Sequence, residues 1–172
     1  MTNKKRWEFI PGDEITIAPG RTVKRIRALV AIDGFGVSPG DLGGYVESET
    51  NLAQVSGNAW VSGNARVYGN ARVYGDAWVY GNARVSGNAR VYGDGLIFWA
   101  SQVGSENGTL TVYNTRDNTL QVTRGCFVGS VDEFLEASER KHDDDTHLEY
   151  RLLIEIAHSR ITRARVKLEA AQ

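Results

Sequence analysis

The chain has 172 residues, with 20 Lys and Arg against 21 Asp and Glu, a formal net charge of −1 and an apolar content of 41%. That length suits one compact unit with caps rather than two independent domains, and the near-neutral balance argues against a simple polyanion binder and against disorder. The single Cys126 excludes an intramolecular disulfide and fits a reducing compartment.

The start, Met1 to Arg6, is basic but has no apolar stretch behind it, so neither a leader nor a membrane span is expected. This points to a soluble cytoplasmic protein. Residues 1–52 read as a β-rich N-terminal cap. Thr22 to Ile32 has strand-like content between turn signals at Pro19-Gly20 and Asp33-Gly34, and Ser38-Pro39-Gly40-Asp41 is a further turn. Gly43-Gly44 reads as a turn flanked by Asp41 and Glu47.

Residues 53–94 repeat one six-residue pattern, Ala-x-Val-[Ser/Tyr]-Gly-[Asn/Asp], seven times without a break. Ala and Val two apart put their side chains on one face of an extended segment, here the inward face. Gly with Asn or Asp turns each corner, because both accept unusual backbone angles. A strict hexad is the signature of a parallel β-helix. The order Val-x-Gly-Asn-Ala-x resembles the hexapeptide repeat of left-handed parallel β-helices. That resemblance implies three hexads per triangular coil, so seven hexads give two coils and one extra side. Together with the flanks Asp41 to Leu52 and Gly125 to Phe134, the chain resembles small hexapeptide-repeat proteins of bacteriophages and prophages. The expected fold class is mainly β, a short left-handed parallel β-helix with a β-rich cap and a helical tail.

Residues 95–125 read as an irregular β extension. Leu96 to Trp99 is an apolar strand, Asn107-Gly108 a turn, and Thr109 to Tyr113 pairs with Thr119 to Thr123 as a hairpin. Residues 126–172 read as a helical tail. Ser130 and Glu133 form a capping box for a helix reaching about Lys141, and Thr146 and Glu149 form a second one. The second helix carries an apolar stripe of Leu148, Leu152, Leu153, Ile156 and Ile161, expected to cover the coil's open end or a neighbouring subunit.

An eighteen-residue coil stacks outward residues in columns. Gln54, Arg72 and Arg90 lie beside Ser56, Tyr74 and Tyr92. Trp60 stacks on Trp78 beside Ser62 and Tyr80. Arg66 and Arg84 lie beside Tyr68 and Ser86, and Asn58, Asp76 and Asp94 share a corner. Arg66, Arg72, Arg84, Arg90, Tyr68, Tyr74 and Tyr92 are the candidate binding residues, for a protein or an anionic ligand. Trp60, Trp78, Tyr80, Leu152 and Ile156 are the candidate oligomer interface.

Catalytic residues and metal ligands are not expected, and no cofactor is implied. The resemblance includes acyltransferases that use a catalytic His on a coil or an inserted loop, but His142, His147 and His158 all lie in the tail. The group His142 to His147 reads as a solvated loop rather than a metal site, and Cys126 as a small, at least partly buried hydrophobe. The leading expectation is a non-enzymatic phage-type interaction protein, acting in the cytoplasm of an infected or lysogenic bacterial host. It would bind a host protein, with antagonism of a host immune system as its plausible role. The resemblance also implies a homo-oligomer, a trimer first. A nucleotide-binding sponge at subunit clefts is the alternative, followed by a structural or assembly component and an acyltransferase-like enzyme. Nucleic acid is not favoured.

Overall fold

The computed structural model describes residues 4–55, 57–93 and 95–171. The expected positions of Ser56 and Asp94 lie outside these residues. Strands β1 (Trp7–Ala18) and β2 (Arg21–Ala28) form an antiparallel hairpin around Pro19-Gly20. The β1 register shifts between Phe9 and Glu14, where Pro11 offers no N–H and Gly12 takes a positive φ of 82°. β2 ends at Ala28, short of the expected Ile32. Ile32 and Val37 instead close a loop holding a 3-10 turn, Asp33–Phe35.

Strand β3 (Leu42–Val46) contains Gly43 and Gly44, so this pair is not the expected turn. A Cβ at Gly44 would lie 2.7 Å from the Ala65 carbonyl oxygen, and one at Gly43 2.4 Å from Ile26 Cγ1. The glycines let β3 press between the hairpin and the repeats.

Six two-residue strands follow: β4 (Trp60–Val61), β5 (Arg66–Val67), β6 (Arg72–Val73), β7 (Trp78–Val79), β8 (Arg84–Val85) and β9 (Arg90–Val91). They pair in parallel as β4 with β7, β5 with β8 and β6 with β9, so partners stand eighteen residues apart. The repeats thus form a β-solenoid. Ala65, Ala71, Ala77, Ala83 and Ala89, with Val61 through Val91 of the hexads, are all 1% exposed or less. Amide groups of one coil donate to carbonyls of the next, as Arg66 N–H to Ala83 at 2.9 Å and Tyr68 N–H to Val85 at 3.0 Å.

The first hexad departs from this register. Tyr45 pairs with Arg66 and Leu52 with Val73, each twenty-one residues apart rather than eighteen. Leu52 therefore takes the inward place expected of Val55, and Val55 is 54% exposed. The regular spacing holds again from Asn58, whose N–H donates to the Gly75 carbonyl at 2.7 Å. Gln54 leaves its expected column and binds Trp7, through Oε1 from the backbone N–H and Nε2 to the carbonyl.

At the other end, β10 (Ile97–Val103), β11 (Gly108–Asn114), β12 (Leu120–Arg124) and β13 (Phe127–Ser130) form an antiparallel sheet in that order. The sheet meets the last coil through an Ala89–Thr115 bridge and through the Thr123 hydroxyl, which donates to the Arg84 carbonyl at 2.7 Å. It reaches past residue 125, the end of the expected β extension, and shares the end of the coil with the long helix, whose Leu168 Cδ2 would lie 2.9 Å from a Cβ at Gly93.

Helix α1 (Val131–Lys141) opens on the Ser130–Glu133 capping box. Helix α2 (Asp144–Ala170) is capped by Asp143 instead of Thr146, whose N–H donates to Asp143 Oδ1 at 2.8 Å. α2 packs on β10, β11 and α1. Its buried residues are Tyr150, Ile154, Ala157 and Ile161. Of the expected stripe only Ile161 is buried, while Leu148, Leu152 and Ile156 are 41–49% exposed. Tyr150 wins the inward place because its phenol reaches Arg124, and Ala157 because its small side chain lets the helix lie close. Among the described residues, no helix is long and apolar enough to cross a membrane.

Candidate functional site

Two surfaces of the solenoid gather candidate residues, one apolar and one cationic. The apolar one is a groove of about 510 Å³ lined by Trp78 and Tyr80 from the coil, Ile97, Phe98 and Trp99 from β10, and Ile156 from α2. The Tyr80 ring lies 4.5 Å from Trp78 and 4.4 Å from Trp99, edge-on to the latter. Trp78 is held from both sides. Its indole N–H donates to the Ser62 hydroxyl at 2.9 Å, and Phe35 stacks on it at 4.9 Å. Leu152 sits one turn before Ile156 on the same exposed helix face. β10 is an edge strand of its sheet, so one row of its backbone groups has no strand partner among the described residues. Arg160 closes the groove, and an adjoining depression is lined by Arg163 and Lys167.

Four of the five expected interface residues thus fall on one surface. The fifth, Trp60, does not, because it is 1% exposed and packed in the core. Strand β3 lies against β4, the strand that carries Trp60.

On the cationic surface Arg66 and Arg84 are ladder partners one coil apart. At a strand spacing of about 4.8 Å two such charges repel by about 1 kcal/mol in water. The Arg66 guanidinium is pushed below its ordinary pKa, first by burial and then by Arg84. It remains charged at neutral pH, since arginine does not lose its proton in proteins. Among the described residues, neither Arg66 nor Arg84 forms an ion pair. Arg124 faces them from β12. Sequence reasoning passed over it, because an Arg closing a hairpin strand gives no local sign that it points at the coil. Tyr68 stands at the same face, but Arg21 covers its ring at 5.5 Å and pairs with Glu47 at 3.4 Å.

Arg72, Arg90, Tyr74 and Tyr92 form a different face, so the expected binding set is split in two. Tyr74 and Tyr92 stack with centroids 5.7 Å apart. Arg90 spends its guanidinium on the carbonyl oxygens of Asn70 and Ala89.

Cys126 is exposed in the β12–β13 turn rather than buried. His142 and His147 lie beside the hydroxyls of Ser105 and Ser138 at 3.4 Å and 3.2 Å, and Asp143 is a helix cap. Glu47 accepts from the Gly69 N–H at 2.6 Å, and Asp41 from the Ser38 N–H at 2.8 Å, so both serve the local fold.

Comparison with known families matches the repeats to the YdcK beta solenoid repeat over residues 53–67, 65–81, 77–93 and 83–97. The match covers the coil and its exit and supports a repeat β-solenoid. Neither a curated protein nor a solved structure matches the chain.

Proposed function

We propose that this chain is a non-enzymatic interaction protein that holds a protein partner in the groove between Trp78, Tyr80, Trp99 and Ile156. The observation that carries this reading is the convergence of exposed Tyr80 and Ile156 with half-buried Trp78 and Trp99, from three separate elements, beside an open strand edge. Trp, Tyr and Arg are the usual anchors of protein interfaces. The flanking Arg160, Arg163 and Lys167 give the partner a chemistry, an apolar segment followed by carboxylates.

The finer reading belongs to the same proposal. Its coils wind left-handed, as the hexad pattern implies, and the chain is a phage-type hexapeptide-repeat protein working in the bacterial cytoplasm. It associates with itself, first as a trimer, and binds a host protein to modulate a host defence. What supports this part is the hexad resemblance together with the binding character of the surface.

The test compares the unsubstituted chain with a Tyr80→Asp, Ile156→Asp variant in capture from bacterial lysate and in light scattering. Both positions are well exposed, so the variant is expected to fold. Loss of a specific captured protein, or of self-association, in the variant alone is the expected result. Capture and mass that are the same in both proteins would remove the groove as the interface.

A further inference from the structure

We propose that the cleft between the Arg66–Arg84 ladder and Arg124 is a binding site for a compact phosphate-bearing small molecule. The cleft holds about 260 Å³, and its polar lining comes from Asn64, Arg66, Asn82, Arg84, Thr109 and Arg124. Three arginines thus share the lining with two asparagines and a threonine, with no carboxylate among the described lining residues, in a chain whose net charge is −1. Among the described residues the acid paired with this cluster is Glu106, 3.7 Å from Arg124 Nη1 and itself 75% exposed.

The cations are placed by the fold. Arg124 donates through Nε to the Tyr150 phenol at 2.9 Å, and its side chain is only 11% exposed. Arg84 donates through Nη1 to the Gly125 carbonyl at 3.2 Å. Gly108 makes room for this arrangement, since a Cβ there would lie 2.5 Å from Arg124 Nη1. The parallel ladder fixes Arg66 over Arg84 whatever the side chains prefer. Three like charges held together on a near-neutral protein call for a multiply charged anion.

A phosphate ester suits them best. It carries close to two charges and three terminal oxygens for the remaining donors of Arg66 and Arg84, while Arg124, engaged with Tyr150 and the Val103 carbonyl, adds positive charge at the wall. A single carboxylate has one charge and two oxygens. The volume lies below the range of about 300–1,000 Å³ usual for drug-sized ligands, so the rest of the molecule is small. Arg21 lies over one face of the nearby Tyr68 ring at 5.5 Å.

Thermal unfolding in inorganic phosphate, ribose 5-phosphate and adenosine monophosphate tests this, against sodium chloride at matched ionic strength. Both ribose 5-phosphate and adenosine monophosphate are expected to raise the midpoint in step with concentration, and to similar extents because they share the phosphate. Arg66→Gln is expected to fold normally and to lose most of that rise, Arg66→Lys to keep part of it, and Arg72→Gln on the neighbouring face to keep all of it. No rise with any probe would overturn the site. So would an equal loss in Arg72→Gln, and a rise confined to adenosine monophosphate would overturn the compact-ligand assignment.

Discussion

The side-chain amide of Asn51 replaces missing backbone, donating from Nδ2 to the Ala71 carbonyl at 2.9 Å and to that of Gly69 at 3.0 Å. In the regular coils the equivalent carbonyls are met by main-chain N–H groups, Ala89 by Arg72 and Gly81 by Asn64. The three-residue register shift at the first coil takes those donors away, and one fully buried amide answers for both. Its Oδ1 accepts from the Ser48 N–H at 2.8 Å. Each buried polar group left unpaired costs about 1–3 kcal/mol, so Asn51→Ala is expected to lower stability by about 2–4 kcal/mol. Asn51→Asp keeps the shape but removes both donors and should be no milder. Urea denaturation of the three proteins measures this. A loss near zero in both variants would show that water fills the gap.

Corner glycines of the same hexad are not equivalent. Gly69 and Gly75 have nearly the same φ, 65° and 64°. A Cβ at Gly75 would lie 2.1 Å from the Tyr92 carbonyl oxygen, whereas at Gly69 the closest atom is the Gly87 nitrogen at 3.4 Å. Alanine at either site incurs the left-handed backbone penalty of about 1–2 kcal/mol. At Gly75 it also drives one coil into the next, with overpacking of about 1–3 kcal/mol more. Gly75→Ala is therefore expected to melt well below Gly69→Ala, and coincident midpoints would refute the difference in packing.

The coil was legible because its signal is local and repeated. Every inward Ala and Val from Val61 to Val91 can be placed from a six-residue period alone. Val55 has the same local pattern and still points outward, since its register is decided by Leu52 and Asn51 ahead of it. Trp60 was illegible as a core residue because its strand lies against β3, outside the hexads, and nothing in the six-residue period announces that contact. Tyr150 and Arg124 hid each other, each polar by itself and buried only as a pair. The apolar groove was half visible, through Trp78, Tyr80, Leu152 and Ile156. Its Trp99 wall needed the sheet to be placed first.

Acid should weaken the helical tail before the coil. Glu133 accepts from the Ser130 N–H at 2.8 Å and hydroxyl at 2.9 Å, and these bonds, the backbone one first, hold its carboxyl below the ordinary 4.5. Asp143 is held below 3.8 by hydrogen bonds from Thr146, side chain first and backbone second. Both folded-state values lie under the unfolded ones. Their contribution is thus complete above the ordinary pKa and is lost as pH falls through the lowered values. Far-ultraviolet circular dichroism is expected to show helix loss in that acid window. Asp143→Asn keeps a good N-cap without a titrating group, so its loss should be shallower. Matching acid profiles would mean that the caps do not govern the tail.

Tyr113 gives the opposite limb. It is fully buried between the C-terminal sheet and the last coil, its hydroxyl 3.4 Å from that of Ser86. Burial pushes its phenol from the ordinary 10.0 up to about 12, against the smaller opposing effect of Ser86. The neutral form is favoured in the folded chain. Stability is therefore complete below the unfolded pKa and is lost as pH rises from 10.0 through about 12, since the unfolded chain gives up a proton that the folded one keeps. Tyr113→Phe retains the ring and gives up one hydroxyl contact, a cost of about 1 kcal/mol at neutral pH. Above pH 10 the gap between the two proteins should shrink, because only the phenol titrates on unfolding. Urea midpoints at about pH 8 and about pH 11 read this directly. A gap that stays constant across that range would show that Tyr113 reaches solvent before the coil and sheet separate.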